Sequence, residues 1–447
     1  MKKKMLLSAV AMLLAAGTLS AAEFDFANGG SIKFKGNAVP APAPAASAAK
    51  TVSGNAQRAA ARPAEWTIMV FINGKNNLEK FALRDVNEME MVGSTDKVNV
   101  VVQLGRMDGF DSSDGDWKGV RRYYIKKDED PTKISSPMIE DLGTLDMGDY
   151  KNAIAFGRWA KTKFPARKYM FIFWNHGTGW IKSKGLYSSK GISYDDETNN
   201  HMDTPQMAKV LRDIGGVNVV GSDACLMQMA EVAFELKPFA PYIVGSEEIE
   251  PGEGYTYNQL LEPLVKNPAM NAPQLAKLAV DTYSDYYDAL NSGYTQSFVN
   301  SAAMAQFLTL VNSFTTAVMS ANEGEAAQYA RDNALKFQFA DNKDLYDFVS
   351  LLISKAKSQA VKAKGKALMD YITNKLVGHS RSKDAPPSIF VPVTTELSKA
   401  KGIAVYVPNR SVPPSYLEMQ WAKKSNWPKF VKWIASKDAP PAGFKPQ

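Results

Sequence analysis

The chain has 447 residues, 45% of them hydrophobic and 22% charged, which is enough apolar material for a sizeable core and argues against a disordered protein. The formal charge of +7 comes from lysines that are scattered rather than clustered with aromatic residues, so we expect no nucleic-acid partner. The single cysteine excludes an internal disulfide bond.

Residues 1–22 differ from the rest of the chain. Three lysines at positions 2–4 precede an apolar stretch that ends near Leu19, and the small residues that follow suit a signal peptidase. A membrane anchor is the alternative, but about 14 apolar residues are too few to span roughly 30 Å of hydrocarbon. Removing this segment lowers the formal charge from +7 to +4, because it holds three lysines and no acid. We expect a secreted or periplasmic bacterial protein with no membrane contact after signal removal.

The remaining chain divides by composition. A run rich in Pro and Ala over 39–44, surrounded by small and charged residues, predicts a flexible linker or pro-segment. Ordered structure is expected from Trp66 onward. The predicted organisation is a signal peptide over 1–22, a linker over 23–64, a core over 65–262, a helical region that contributes late strands to that core over 263–437, and a loose tail over 438–447.

Apolar runs alternate with stretches of helical periodicity along the core. This alternation, with strands apolar on both faces, predicts a mixed, mostly parallel sheet covered by helices, in a three-layer α/β/α sandwich. The predicted strands are 66–72, 98–104, 123–125 as an antiparallel edge piece, 169–174, 217–220 and 242–244. The predicted helices are 77–91, 149–164, 204–214 and 226–236. Residues 263–319 and 342–376 are mostly helical in this prediction, with extended pieces at 297–299, 388–393 and 402–407.

Two predicted strands end in residues that can carry chemistry. Strand 169–174 runs into Asn175-His176-Gly177, and strand 217–220 runs toward Asp223-Ala224-Cys225. His176 and Cys225 are 49 residues apart, enough for one crossover between parallel strands. Ligands bind beyond the carboxyl ends of such strands. We therefore expect these side chains to meet at one edge of the sheet.

The residue types fit nucleophilic catalysis. An imidazole such as His176 accepts the proton of a thiol, and a helix N-terminus just after Cys225 would lower the thiol pKa further. The backbone N–H groups of Gly177 and Cys225 would form an oxyanion hole. A buried, inert thiol is the alternative for a lone cysteine.

Asp223 is the candidate substrate-binding residue. It lies two residues before Cys225, so both side chains face the same way while the chain stays extended. A carboxylate beside the nucleophile suits a pocket for an Arg or Lys side chain. The alternative is that Asp223 caps a helix that begins near Cys225.

Taken in order, these segments resemble the clostripain family of cysteine peptidases, which are relatives of caspases, gingipains and legumains. The resemblance extends over roughly residues 66–435. It is carried by Trp66-Thr67-Ile68-Met69-Val70-Phe71, Asn175-His176-Gly177, Asp223-Ala224-Cys225-Leu226-Met227, Ser246-Glu247-Glu248, Gly252-Glu253-Gly254-Tyr255, Asp344-Leu345-Tyr346-Asp347-Phe348 and Gly402-Ile403-Ala404-Val405-Tyr406-Val407-Pro408.

The resemblance implies a caspase-like fold and a monomeric cysteine endopeptidase that uses a His176–Cys225 dyad and requires no cofactor. Protein or peptide substrates with Arg or Lys at the cleavage site are expected, because Asp223 stands where caspases carry Gln. Family members are often cleaved between the histidine and the cysteine. Lys190 is the favoured self-cleavage position, with Lys182, Lys184 and the linker residues Lys50, Arg58 and Arg62 as further candidates.

Several acidic and histidine residues carry weaker expectations. Asp195-Asp196-Glu197 is a candidate calcium site, for which a solvated acidic turn is the alternative because no EF-hand spacing is present. His201 and His379 have no metal-ligand partners at suitable spacing, so no metal site is predicted. Glu247, Glu248 and Glu253 follow a strand on the active edge and are candidates to support the basic-side-chain pocket.

Other function classes fit the sequence less well. A catalytically silent binding or scaffold protein with the same fold is the main alternative. A dinucleotide site would need a third glycine at position 182, which is Lys182. The chain has no Gly-x-Ser-x-Gly elbow, and its three histidines are scattered, which argues against a serine or zinc hydrolase.

Overall fold

The computed structural model describes residues 63–180, 191–387 and 394–438. Its strands are β1 (Ala64–Gly74), β2 (Val98–Arg106), β3 (Gly119–Tyr124), β4 (Met138–Gly143), β5 (Ala166–Trp174), β6 (Ile192–Asp195), β7 (Asn200–Met202), β8 (Val219–Asp223), β9 (Tyr242–Gly245), β10 (Tyr294–Asn300), β11 (Asn342–Asp344), β12 (Val377–Lys383) and β13 (Ala404–Tyr406). Its α-helices are α1 (Glu79–Glu90), α2 (Tyr150–Lys163), α3 (Thr204–Asp213), α4 (Ala230–Leu236), α5 (Tyr257–Lys266), α6 (Ala272–Ala289), α7 (Met304–Ser320), α8 (Gly324–Asn333), α9 (Leu345–Lys355), α10 (Gln359–Tyr371), α11 (Gln420–Lys424) and α12 (Trp427–Ala435). The predicted signal peptide, nearly all of the linker and the end of the tail lie outside the described residues.

A nine-stranded mixed sheet lies at the centre of the fold, in the order β12-β10-β9-β8-β5-β1-β2-β3-β4. The five central strands, from β9 to β2, pair in parallel. Antiparallel strands extend the sheet at both sides, and helices flank it. The predicted three-layer α/β/α sandwich with a mixed sheet is therefore confirmed.

Alternating side chains of the central strands fill two cores. Met69 and Phe71 of β1 lie in one core with residues of α2, α3, α4 and the C-terminal helices. Ile68 and Val70 lie in the other core with residues of α1, α5 and α6. Because successive side chains of a strand face opposite ways, a strand with helices on both sides must be apolar throughout. The burial of both faces of β1 therefore explains its apolar run.

The two sides of the sheet differ from the sequence-based expectation. The piece at 123–125 corresponds to β3, which is antiparallel as predicted, but β4 lies outside it and is the edge strand. On the other side, β12 is not predicted, because its sequence after Val377 is polar. It pairs with β10, and His379 bonds to Asp281 of α6 at 2.7 Å. His379 is therefore a structural polar residue at the sheet edge.

The region after residue 262 shares its packing with the first part of the chain. β10 and β12 join the central sheet, whereas β13 pairs with β11 in a separate two-stranded sheet. The extended piece expected at 388–393 lies outside the described residues. Trp421 and Trp427 are fully buried in the same core as β1. Both parts of the chain thus contribute to one folded unit.

In the part of the chain that the structure describes, one helical stretch, Ser301–Ser320, is long and apolar enough to cross a membrane by length and composition. Its side chains Phe307, Val311, Phe314 and Val318 have no exposed surface and belong to the protein core. A core helix of a soluble domain passes the same test, and this burial favours that interpretation of α7.

Candidate active site

The predicted catalytic segments meet at the carboxyl ends of the parallel strands. β5 and β8 are neighbours, with Trp174 opposite Asp223, and the Asn175 N–H donates to the Asp223 carbonyl at 3.2 Å. The next residues of each segment, His176 and Ala224, therefore leave the sheet side by side. β1 lies on the far side of β5, and its turn into α1 reaches the same edge.

Two glycines bring the histidine loop directly onto the cysteine turn. A Cβ atom on Gly177 would lie 2.3 Å from the Cys225 carbonyl oxygen and 3.1 Å from the Cys225 nitrogen. A Cβ atom on Gly179 would lie 2.9 Å from the Leu226 carbonyl oxygen. Gly179 also has a left-handed backbone, with φ of 61°. Only residues without a side chain allow the two loops to approach this closely.

The helix predicted over 226–236 begins later than expected, at Ala230. The Leu226 N–H instead donates to the Glu248 carbonyl at 3.0 Å, in the loop after β9. Leu226 has φ of 64°, an unusual conformation for a side chain of its size. The backbone N–H of this turn is thus bonded to a neighbouring loop, and no helix begins here. The expectation that a helix N-terminus lowers the Cys225 pKa is therefore wrong.

Cys225 is half-buried and contacts the loop after β9. Its Sγ accepts a hydrogen bond from the Glu250 N–H at 3.3 Å. Burial and, to a smaller extent, the nearby Glu250 carboxyl group raise the pKa of the thiol to about 12, while the Glu250 N–H opposes both. Cys225 at rest is therefore a thiol, which would need a base before it could act as a nucleophile.

His176 is half-buried as well. Its Nε2 lies 2.7 Å from Oδ1 of Asn77, on the turn that follows β1. Burial lowers the pKa of the imidazole to about 4. The ring is therefore neutral at physiological pH and can act as the proton acceptor that the thiol requires. The sequence-based prediction missed Asn77, although its position after a central parallel strand was a usable signal.

Asp223 is buried at the end of β8 and does not cap a helix. One carboxylate oxygen accepts the Tyr255 N–H at 3.1 Å, and the other accepts the Tyr257 hydroxyl at 2.8 Å. The nearest helix, α4, has Met229 at its N-cap and no side-chain cap bond. Burial nonetheless raises the pKa of Asp223 to about 7. The capping alternative is thus wrong.

Asp223 belongs to a buried acidic cluster that also contains Asp85 and Glu250. The charge of the Asp223 carboxyl group acts on Glu250 and also on Asp85 of α1. Burial is the main cause that raises the pKa of all three groups. None of the salt bridges in the described part of the chain involves these three acids. Within the described residues, these buried acid groups therefore have no ion-pair partner.

Unsatisfied polar atoms surround this cluster. Asp85 Oδ1, Gln296 Oε1 and the hydroxyls of Tyr255 and Tyr283 are buried and have no hydrogen-bond partner among the described residues. Gln296 reaches the cluster through a 3.2 Å bond from its Nε2 to Glu250. Buried polar atoms are nearly always paired, so a group of such atoms marks a place for water or a polar ligand.

The other candidate acids lie elsewhere. Glu247 accepts the Gly402 N–H at 2.9 Å, and Glu248 accepts the Gln338 N–H at 3.0 Å, so both attach the loop after β9 to the C-terminal region. Glu253 forms a 2.7 Å salt bridge with Arg84. Glu250, which the sequence-based prediction did not select, is the acid of this loop that contacts both Asp223 and Cys225.

The segment favoured for self-cleavage is only partly described. Lys190, Lys182 and Lys184 lie outside the described residues. Gly191, which follows, is buried, and its N–H donates to Thr178 Oγ1 at 3.0 Å. Cleavage after Lys190 would therefore require this bond to break first.

The acidic turn Asp195-Asp196-Glu197, which is the candidate calcium site, forms ion pairs with a lysine. Lys75 has no exposed side-chain surface, and its Nζ lies 3.5 Å from Asp195 and also contacts Glu197. It donates a third bond to the Leu145 carbonyl at 2.9 Å. In the part of the chain that the structure describes, no group of three or more potential ligands could hold a metal ion.

We expect Lys75→Met to lower the free energy of unfolding by about 3 kcal/mol or more, because Asp195 would stay buried without its partner. Urea unfolding of both proteins measures this difference. Lys80→Met, at an exposed position of α1, is the matched control. Equal unfolding midpoints for all three proteins would contradict a structural role for Lys75.

Comparison with known proteins gives the family. The model of the clostripain family matches residues 70–436. Clostripain from Hathewaya histolytica is 27% identical over 218 residues, which cover 44% of this chain and 41% of that relative. The alignment thus spans less than half the length of this curated relative.

Two solved structures have the same fold. A secreted C11 cysteine protease from Bacteroides thetaiotaomicron, solved with an irreversible peptide inhibitor, gives a TM-score of 0.62 at 19% identity, covering 82% of this chain and 99% of that chain. An inactive zymogen of a C11 protease from Parabacteroides distasonis gives a TM-score of 0.56 at 17% identity, covering 81% of this chain and 98% of that chain. The family model covers most of the chain and includes every residue of the candidate site, so the chain belongs to the clostripain family.

Proposed function

We propose that this protein is a cysteine endopeptidase that cleaves peptide bonds after Arg or Lys. The observation that carries the proposal is the buried acidic cluster of Asp85, Asp223 and Glu250, which adjoins the nucleophile and forms no salt bridge within the described residues. A cationic side chain of the substrate would supply the missing charge. Its long apolar stem would pass the surrounding tyrosines, Tyr255 and Tyr283.

The reaction follows from the arrangement of the two loops. His176 takes the thiol proton of Cys225 as Sγ attacks the carbonyl carbon of the scissile bond. The oxyanion that forms is held by the backbone N–H groups of Gly177 and Cys225. Protonated His176 then returns the proton to the leaving amine, and water hydrolyses the acyl-enzyme. The dyad requires no cofactor for these steps.

Secretion and self-processing are part of the proposal. The charged start and apolar stretch of residues 1–22 support export. One solved relative is described as secreted, and another as an inactive zymogen. Lys190 and the other basic residues between His176 and Cys225 are suitable cleavage positions for an enzyme of this specificity. We expect active preparations to contain chains cut in this segment.

The proposal is tested by hydrolysis of four peptides that differ only in having Arg, Lys, Asp or Leu before the scissile bond. Wild type is expected to cleave the Arg and Lys peptides, and Cys225→Ala is expected to cleave none. Parallel assays with a calcium chelator show whether the calcium turn affects activity. Mass spectrometry of both proteins locates any self-cleavage.

Each outcome has a distinct meaning. Cleavage only after Asp or Leu would keep Cys225 as nucleophile but overturn the role of the acidic cluster. Absence of cleavage by protein already processed between His176 and Cys225 would favour the alternative of a catalytically silent binding protein. An intact chain in fully active enzyme would exclude self-processing as a requirement.

A further inference from the structure

The histidine has a side-chain partner that the two-residue mechanism does not use. Asn77 Oδ1 lies 2.7 Å from His176 Nε2. An amide oxygen only accepts hydrogen bonds, so the proton of the neutral ring must reside on Nε2. In that tautomer the lone pair of the imidazole is on Nδ1. The contact thus determines which nitrogen can accept the thiol proton.

The turn that carries Asn77 is fixed on both sides. Asn76 Oδ1 accepts the Leu78 N–H at 2.9 Å, and Asn76 Nδ2 donates to the Tyr194 carbonyl at 2.8 Å. On the other side, the buried Lys75 is paired with Asp195. Asn77 therefore sits on a rigid turn, although it is itself only half-buried.

The histidine is attached to the same support. Asn175, the residue before His176, accepts the Tyr194 N–H at 2.9 Å and donates to the Asn73 carbonyl at 2.6 Å. Both sides of the Asn77–His176 contact thus rest on the backbone of Tyr194. Because both residues of the contact are held in this way, the contact keeps its geometry while the substrate reacts.

We propose that Asn77 is a positioning residue that orients His176 and fixes its tautomer for proton transfer from Cys225. This inference rests on the proposed peptidase function. The amide oxygen also stabilises the imidazolium that forms when His176 takes the proton, because it accepts the bond from the N–H that carries part of the positive charge. Asn77 acts through His176 and needs no contact with the substrate.

A purely structural role explains the contact less well. The N-cap of α1 is Leu78, and no side-chain cap bond is formed there, so Asn77 does not cap the helix. The bonds that hold the turn come from Asn76 rather than from Asn77.

The test compares Asn77→Leu and Asn77→Asp with wild type by peptide hydrolysis and by the pH dependence of Cys225 alkylation with iodoacetamide. Cys225 is the only cysteine, so alkylation reports on this thiol alone. The Tyr194 phenol ring lies 6.4 Å from the imidazole of His176, and the Cys225 thiol lies on the turn that the histidine loop contacts through Gly177.

We expect Asn77→Leu to lower kcat/KM about 10²-fold with KM little changed, because general-base catalysis contributes on this order. Asn77→Asp should retain clearly more activity, since its carboxylate still accepts the bond. The pH profiles should move in opposite directions. The carboxylate of the Asp variant raises the pKa of His176 and shifts the ascending limb to higher pH, whereas Leu shifts it to lower pH.

The proposal is overturned if Asn77→Leu keeps wild-type kcat/KM and alkylation profiles. It is also overturned if both variants lose activity equally, with a common fall in melting temperature and no pH shift. Asn77→Ser replaces the Leu variant if that chain does not fold. Alkylation still tests the proposal if wild type cleaves no peptide, so failure of the proposed function is distinguishable from failure of the role of Asn77.

Discussion

Asp223→Asn is expected to lower kcat/KM for Arg and Lys peptides by about 10²- to 10³-fold and, at the same time, to raise the melting temperature at pH 7.5. The loss of activity is expected because the cationic side chain of the bound substrate would be buried without its charged partner. Such a loss costs about 2–5 kcal/mol. The amide is nearly isosteric and can still accept the Tyr255 N–H. The fold should therefore tolerate the change.

The gain in stability follows from the raised pKa of Asp223. Its pKa is about 7 in the folded protein, above the ordinary value of 3.8. Between these values the folded state binds more protons than the unfolded state, so stability falls as pH rises through this window. Near pH 7.5 the carboxylate is held at a cost to the fold. An amide at position 223 has no such cost, because it carries no charge.

Glu253→Gln is the matched control. It removes an acid from the loop that follows β9, but Glu253 pairs with Arg84 rather than with the cluster. We expect its kcat/KM to stay close to wild type. Full activity of Asp223→Asn on Arg and Lys peptides would exclude the cluster as the specificity pocket. A lower melting temperature of that variant would instead indicate that Asp223 stabilises the fold.

The order of strands and helices and the positions of His176 and Cys225 were accessible from the sequence for a physical reason. Parallel strands covered on both sides must be apolar throughout, so β1 and β5 stand out as runs, and residues at their ends fall at one edge of the sheet. The polar edge strand β12 lacks this signal, because its register depends on β10 and on side chains of α6.

The partners of the site depend on contacts between distant segments, which local patterns do not encode. Glu250 contacts Cys225 and Asp223 across 25 and 27 residues, and three other acids in the same loop look equivalent in the sequence. Asn77 lies 99 residues before His176. The late start of α4 has the same origin, since pairing of Leu226 with Glu248 overrides helix propensity.

Gly177→Ala is expected to reduce kcat/KM about 10²-fold or more, even though alanine keeps the backbone N–H proposed for the oxyanion hole. The added Cβ would lie 2.3 Å from the Cys225 carbonyl oxygen, a distance that non-bonded atoms do not adopt. The histidine loop must therefore move away from the cysteine turn. A displacement of about 1 Å in a catalytic arrangement typically costs 10²-fold in rate.

Gly245→Ala is the control for this change. Gly245 ends β9 near the same edge of the sheet, but a Cβ there would meet Gln228 at 3.4 Å, an ordinary contact. We expect Gly245→Ala to keep wild-type kcat/KM and alkylation of Cys225 by iodoacetamide. Gly177→Ala should lose both, because its thiol no longer has His176 in position.

If Gly177→Ala kept normal alkylation but lost peptide cleavage, the histidine and cysteine would still be aligned. The loss would then come from the oxyanion hole or the substrate cleft. In that case the close contact of the two loops would not be what aligns His176 with Cys225.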